Sequence, residues 1–235
     1  MNVLAIETAT NVCAAAVVTE ADSFEEKTDE QFVHAERILG MVDGVIQKSG
    51  LTKPEIDGIA VSIGPGSFTG LRIGLSTAKG IAYAWNRPII GVSTLEALAF
   101  RAMAQASASE EFLVVAAIDA RRDEVYCGSF RHHGSTLHEE WSPRDMRVSD
   151  LVREIEGRPV LLTGDGVEKI LEACKEDFSL RLLRTVAPAL RTASAISIGA
   201  LGRQRLMEGE KGNAQRLEPK YLKDVYTSST KTILK

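Results

Sequence analysis

Residues 3–18 read VLAIETATNVCAAAVV, and residues 112–130 read FLVVAAIDARRDEVYCGSF. Each stretch opens on a compact apolar run, turns at a polar or charged cluster, and enters a second apolar run. That is the pattern of a buried strand followed by its hairpin partner. Outward from the first stretch, strands are expected at 3–8, 11–18 and, more weakly, 23–27. A helix at 29–49 follows, with Gly50 as its stop, then a strand at 58–63, a helix at 67–85, a strand at 88–92 and a helix at 94–106. Outward from the second, strands are expected at 112–118, 124–130 and 136–141, with turn signals at 121–123 and 133–135. A helix at 148–155, a strand at 159–163, a helix at 167–174, a strand at 180–183 and a helix at 193–207 complete the series. The order β-β-β-α-β-α-β-α therefore occurs twice.

Periodicity alone gives two α/β subdomains. The twice-used order resembles the actin/hsp70 (ASKHA) and sugar-kinase architecture, which implies an α/β fold of two subdomains, each a mixed sheet with helices. The expected division is 1–106 for the first subdomain, 107–209 for the second, and 210–235 for a polar tail that wraps back or frays. The link between halves is expected near 105–110, where Ala and Ser dominate.

Bulk properties narrow the function. A chain of 235 residues can bury a substantial core. With 28 basic against 32 acidic residues the net charge is −4, so it lacks the basic footprint of a protein that holds nucleic acid alone. Phosphate contacts to any nucleic acid would have to come mostly from a partner. Cys13, Cys127 and Cys174 are odd in number and far apart, which reads as idle thiols in a reducing compartment, without a disulfide frame or zinc site. The N-terminus has no basic n-region and Glu7 interrupts its apolar run, so no signal peptide is expected. The longest strongly apolar run, 112–118, is far too short for a bilayer. A soluble, cytoplasmic protein is expected.

The sharpest motif runs from Ile63 to Gly74, IGPGSFTGLRIG. A phosphate loop at a helix N-terminus is one reading, but no Gly-Lys-Ser/Thr follows at Walker spacing. The favoured reading is strand, turn and helix with close packing. Gly66, Gly70 and Gly74 are four apart, and Ala78 and Ala82 continue the row, a stripe along which another backbone can come near. In the 29–49 helix, Phe32, Ala35, Leu39, Val42 and Ile46 form one apolar stripe; His34, Ile38, Met41 and Val45 form another. Together they span an arc of roughly 180°, against about 100° needed to face one core. Either other parts of this chain supply the second cover, or the helix is a protein–protein interface with the 67–85 helix beside it.

Several passages together match one family: IETAT at 6–10, the Gly64–Gly74 motif, IDARRDEVY at 118–126, and EPKYL at 218–222. They resemble the TsaB (YeaZ) family across essentially the whole chain. The resemblance implies a non-catalytic subunit of the bacterial machinery that makes threonylcarbamoyladenosine (t6A) beside the tRNA anticodon. It implies binding to TsaD, the catalytic paralogue of the same fold, with TsaE, an ATPase, joining the pair. Homodimerisation is expected when the chain is alone, and tRNA contact only through the complex. The partner-binding residues expected are His34, Ile38, Met41, Val42, Val45, Phe68, Leu71, Arg72 and Leu75, with no catalytic residue, cofactor or metal.

TsaD-like chains carry a His-x-x-x-His metal pair at the start of the third helix; the corresponding positions here read as Thr94 and Leu98. Where such chains have a Ser-Gly-Gly-His phosphate turn, this one reads Asp119-Ala120-Arg121-Arg122. Of the acidic N-terminal positions, Asn11 and Val12 replace two, and only Glu7 remains. His132 and His133 are expected in a solvated turn, and His34 has no helical metal partner. The rival readings are an ATP-dependent kinase of this fold, or a peptidase using Ser67. Ser67, however, lacks the Gly-x-Ser-x-Gly elbow.

Overall fold

The computed structural model describes residues 1–105, 111–133, 136–174 and 182–223. Two five-stranded sheets organise them. In the first lobe, β1 (Val3–Glu7) pairs antiparallel with β2 (Cys13–Val18), which pairs with β3 (Ser23–Thr28). On its other side β1 runs parallel to β4 (Gly58–Gly64), and β4 to β5 (Ile89–Ser93), giving the order β3-β2-β1-β4-β5. The second lobe repeats this with β6 (Leu113–Asp119), β7 (Glu124–His133), β8 (Thr136–Arg147), β9 (Val160–Thr163) and β10 (Leu183–Thr185), in the order β10-β9-β6-β7-β8. The duplicated actin/hsp70-like order is thus present.

The helices are α1 (His34–Ser49), α2 (Phe68–Trp85), α3 (Thr94–Ala102), α4 (Val148–Ile155), α5 (Val167–Ala173) and α6 (Ala195–Met207). Side chains alternate across a strand, so each sheet has two faces to cover. In the first lobe Leu4, Ile6, Ile59 and Val61 face α1 and α2. The opposite face is made of small residues, Ala5, Ala14, Ala16 and Ala60, and carries α6. There the helix comes in on glycines: a Cβ on Gly202 would sit 2.4 Å from the Ala60 Cβ. In the second lobe Leu113, Val115, Ala117 and Val125 face α4 and α5. Val114, Ala116, Ile118 and Phe130 face Leu95, Leu98 and Ala102 of α3.

The last helix of each half is therefore exchanged, which differs from a division at 106/107. Helix α3 belongs to the first half of the chain but covers the second sheet, and α6 does the reverse. The chain after α6 runs along the first lobe as far as Tyr221, with the Lys220 amide donating to the Ile63 carbonyl at 2.7 Å, and Lys223 then pairs with Glu124 of the second lobe. So the tail wraps back as far as 223, and 224–235 lie outside the described residues. At the inter-half link, Gln105 accepts the Ala187 amide at 2.6 Å, and 106–110 lie outside the described residues.

Two element bounds differ from expectation for local reasons. The β7–β8 ladder runs on to Glu124↔Arg147, past the expected end at 141, because register shifts near 127–130 break the alternation that marks a strand. His132 and His133 are thereby strand residues, and the turn at 134–135 is outside the described residues. Helix α1 starts five residues later than expected: Phe32 has φ +66°, and Val33 offers no side-chain cap.

The glycine row of α2 lies on the end of β1. A Cβ on Gly66 would stand 2.1 Å from the Ala9 carbonyl oxygen, and one on Gly70 2.0 Å from that of Thr8. One on Gly74 would meet Thr8 Oγ1 at 2.1 Å. Thr8 Oγ1 donates to the Gly70 carbonyl at 2.8 Å, and the Ser67 amide donates to the Ala9 carbonyl at 2.6 Å. The close packing is thus between α2 and this chain's own backbone. Gly70→Ala should lower unfolding free energy by roughly 2–4 kcal/mol in denaturant titration, since overpacking outweighs the ~1 kcal/mol gained in helix propensity. Gly80→Ala, with nothing within 4 Å of the added Cβ, should instead stabilise by about 0.5–1 kcal/mol.

Candidate functional site

Helices α1 and α2 lie side by side on one face of the first sheet. Most of the residues expected to bind a partner point the other way. Ile38, Met41, Val42 and Val45 of α1, with Leu71 and Leu75 of α2, are buried, Ile38 to 1% exposure. The chain itself covers the 38–41–45 stripe, so a charge at Ile38 or Met41 would break the fold first. The arc was read too generously for two reasons. Phe32 is not on the helix, and a helix packed against both a sheet and a neighbouring helix buries a wider stripe than one resting on a flat core. Of the other three, His34 is half-buried, with Nε2 3.2 Å from the Thr10 carbonyl oxygen. Phe68 is half-buried under Tyr221, ring centroids 4.9 Å apart. Arg72 is exposed, its guanidinium 3.8 Å above the Phe68 ring, and it donates from Nε to the Tyr221 hydroxyl at 3.3 Å.

What α1, α2 and the turn before α1 do present is another apolar set. Phe32 is 94% exposed, Leu39 58% and Tyr83 89%. Small residues on the same helices are exposed as well: Ala35 and Gly40 on α1, Ser76 and Gly80 on α2. Large apolar side chains alongside small ones make a surface onto which another helix pair can settle. Leu39 was legible as part of the first apolar stripe. Tyr83 was missed, although its spacing of three from Gly80 and seven from Ser76 puts all three on one side of α2.

The positions expected to carry chemistry in this fold are occupied differently. Thr94 and Leu98 are buried. In the turn after β6, Arg121 and Arg122 have φ +70° and +50°, a conformation that favours glycine. Asp119 accepts the Arg121 amide at 2.6 Å and an ion pair from Lys169. Burial pushes the Asp119 carboxyl up, but these donors hold it below the usual carboxylate range. Between the lobes lies a cavity of about 320 Å³ lined by Ser93, Glu96, Phe130, Glu139, Arg205 and Lys220. Its Glu96 and Arg205 already pair bidentately at 2.6 and 2.7 Å. Among the described residues no group of three or more His, Cys, Asp or Glu is placed to hold a metal ion. Cys13 and Cys127 are buried, which pushes their thiols up to about 11 and about 12.

The family model described as TsaD, tRNA N6-adenosine threonylcarbamoyltransferase, matches residues 29–229. The Escherichia coli tRNA threonylcarbamoyladenosine biosynthesis protein TsaB is 33% identical over 95% of this chain and 95% of its own length. The chain belongs to the TsaB family. The Haemophilus influenzae protein of the same description is 39% identical over 54% of this chain, a match that spans 52% of its own length. Among solved structures, YeaZ from Pseudomonas aeruginosa superposes with a TM-score of 0.79 at 29% identity, covering 94% of this chain and 99% of that one. The ROK hexokinase of Thermus thermophilus, at 11% identity and a TM-score of 0.50 over 89% of this chain and all of its own, shares the fold.

Glu7, at the end of β1, has an unusual setting. It is fully buried, Oε1 accepts the Ala9 amide at 2.6 Å, and Oε2 has no hydrogen-bond partner among the described residues. Burial pushes its carboxyl up to about 7, against the opposing pull of the Ala9 amide and Ser62. An acid protonated more readily when folded contributes stability that is full below its unfolded pKa and is lost as pH rises through the folded one. Wild-type stability should therefore fall between about pH 4.5 and 7 by an amount on the order of 3 kcal/mol from this group. Glu7→Gln should flatten that part of the denaturation profile.

Proposed function

We propose that this chain is the non-catalytic subunit of the t6A machinery, and that it supports a TsaD-type transferase by docking it on the outward face of α1 and α2. The observation that carries this reading is the exposed set Phe32, Leu39 and Tyr83, in a chain that matches a protein named for tRNA threonylcarbamoyladenosine biosynthesis over 95% of both lengths. TsaE joins that pair, transfer of threonylcarbamoyl to N6 of the adenosine next to the anticodon takes place on the partner, and tRNA is met only through the complex. The net charge of −4 fits a subunit that leaves phosphate contacts to others. When alone, the chain pairs with a second copy through the same face, since paralogous surfaces of one fold can substitute for each other. The working compartment is the cytoplasm, in line with the absence, among the described residues, of a helix long and apolar enough to cross a membrane.

The contact set differs from the nine residues expected from sequence. Arg72 stays at its margin, while the buried six act by holding the helices in place. A peptidase reading gains nothing from Ser67, whose hydroxyl accepts the Gly70 amide at 3.2 Å as the cap of α2. A kinase reading would need the cleft, where Glu96 and Arg205 neutralise each other.

The experiment is a pair of substitutions. Leu39→Glu and Tyr83→Ala should each weaken capture of TsaD at least roughly tenfold, as expected for large residues at the centre of an interface, with thermal unfolding within about 0.5 kcal/mol of the parent. Ile38→Glu should instead unfold the chain. Unchanged capture by folded Leu39→Glu and Tyr83→Ala would count against the docking face. Calorimetric binding of ATP with turnover by the isolated chain would count for an enzyme.

A further inference from the structure

The segment after α6 makes contacts that no partner reading requires. It leaves α6 at Glu208 and forms a turn in which Asn213 accepts the amides of Arg216 and Leu217. It then runs along the first lobe. Leu217 packs against Ile63 and Gly91, where a Cβ on Gly91 would come 2.6 Å from its Cδ1. The Lys220 amide donates to the Ile63 carbonyl at 2.7 Å, and its own carbonyl fills the space that a Cβ on Gly64 would need. Tyr221 lies on Phe68 and accepts from Arg72 in the first turn of α2.

Two residues later the same segment has crossed to the other lobe. Lys223 Nζ pairs with Glu124 of β7, lies 3.4 Å from Asp145 of β8 and from the Ala120 carbonyl, and stands 5.4 Å from the centre of the Tyr126 ring. Glu124 and Asp145 thus share one cation, and burial of the pair without it would leave two carboxylates together. Lys220 lines the cavity between the lobes, beside Ile63 and Gly91 on one wall and Phe130, Leu137 and Glu139 on the other.

The geometry points to a built-in clasp: residues 213–223 are a strap that spans the interlobe cleft and fixes the angle between the lobes, with Leu217, Lys220 and Tyr221 as its anchor on the first lobe and Lys223 as its latch on the second. Two lobes that exchange α3 and α6 can still hinge about those helices unless something else bridges the cleft. The latch is a single charge-assisted contact set, strong enough to hold yet able to open. Its anchor sits on Phe68 and Arg72, at the start of α2, so the strap couples the lobe angle to the end of that helix. This inference stands apart from the docking proposal, because it concerns the chain alone.

The test places spin labels at Asp22→Cys in the first lobe and Glu156→Cys in the second, with Cys174 replaced by Ser and labelled chain diluted into unlabelled. Cys13 and Cys127 are buried and stay unlabelled. In Lys223→Ala the interlobe distance distribution should broaden about twofold and the Lys220 amide should exchange roughly tenfold faster, as expected when a local closure loses a charge-assisted contact. Lys223→Arg should keep both near the parent, and Glu124→Gln, approaching the latch from the other side, should reproduce part of the change. An unchanged distance distribution in folded Lys223→Ala overturns the clasp, whether or not exchange at Lys220 rises, because the strap would then only cover the cleft.

Discussion

The structure of the first lobe depends on one contact: the glycine row of α2 against the carbonyls of Thr8 and Ala9 at the end of β1. Three side-chain-free positions, a hydroxyl donating to the Gly70 carbonyl and a backbone bond from Ser67 bring the helix closer to the strand end than any Cβ would permit. That distance fixes where α2 lies on the sheet, and α1 then packs in the space beside it. The same approach seals the end of β1, which is why Glu7 is buried without a counter-charge. A buried acid of this kind is costly when ionised and is tolerated neutral. The outward faces of the two helices, and the seat for Tyr221 at the start of α2, follow from this one packing decision.

Much of the architecture could be read from the chain. The repeated strand-and-helix order is written in the paired stretches at 3–18 and 112–130, and the close approach along Gly66, Gly70 and Gly74 is written in their spacing. The exchange of α3 and α6 was not legible, because a local hydrophobic pattern says that a helix needs a cover without saying which sheet supplies it. A hint existed. Ala5 of β1, Ala60 of β4 and the glycines of α6 at 199 and 202 are complementary small surfaces, and only the folded chain brings them together. The proposed docking face was half legible for a related reason. Residues such as Ile38 and Leu39 are equally apolar, and one step of 100° along α1 separates a core side chain from an exposed one. Tyr83 carries a hydroxyl and sits near the helix end, so composition alone gave it no weight.

The ionisable groups tell a consistent story. Several in the cleft and around the turn after β6 are paired with one another: Glu96 with Arg205, Asp119 with Lys169, Glu124 and Asp145 with Lys223. Charges that neutralise each other within the chain hold elements in place. The apolar residues divide in the opposite sense. The sheets and their helices consume most of them, yet three large ones on or beside α1 and α2 stay in solvent, where isolated exposure is common but a set on one surface is informative.

We propose that this surface, and not the cleft, is where the chain works. Hydrogen-exchange footprinting of the chain with and without a TsaD-type partner tests it most directly. Protection should concentrate on peptides spanning 30–40 and 72–85 while those lining the cleft, around 91–96 and 137–143, exchange as before. Protection centred on the cleft peptides, with the two helix peptides unchanged, would contradict it.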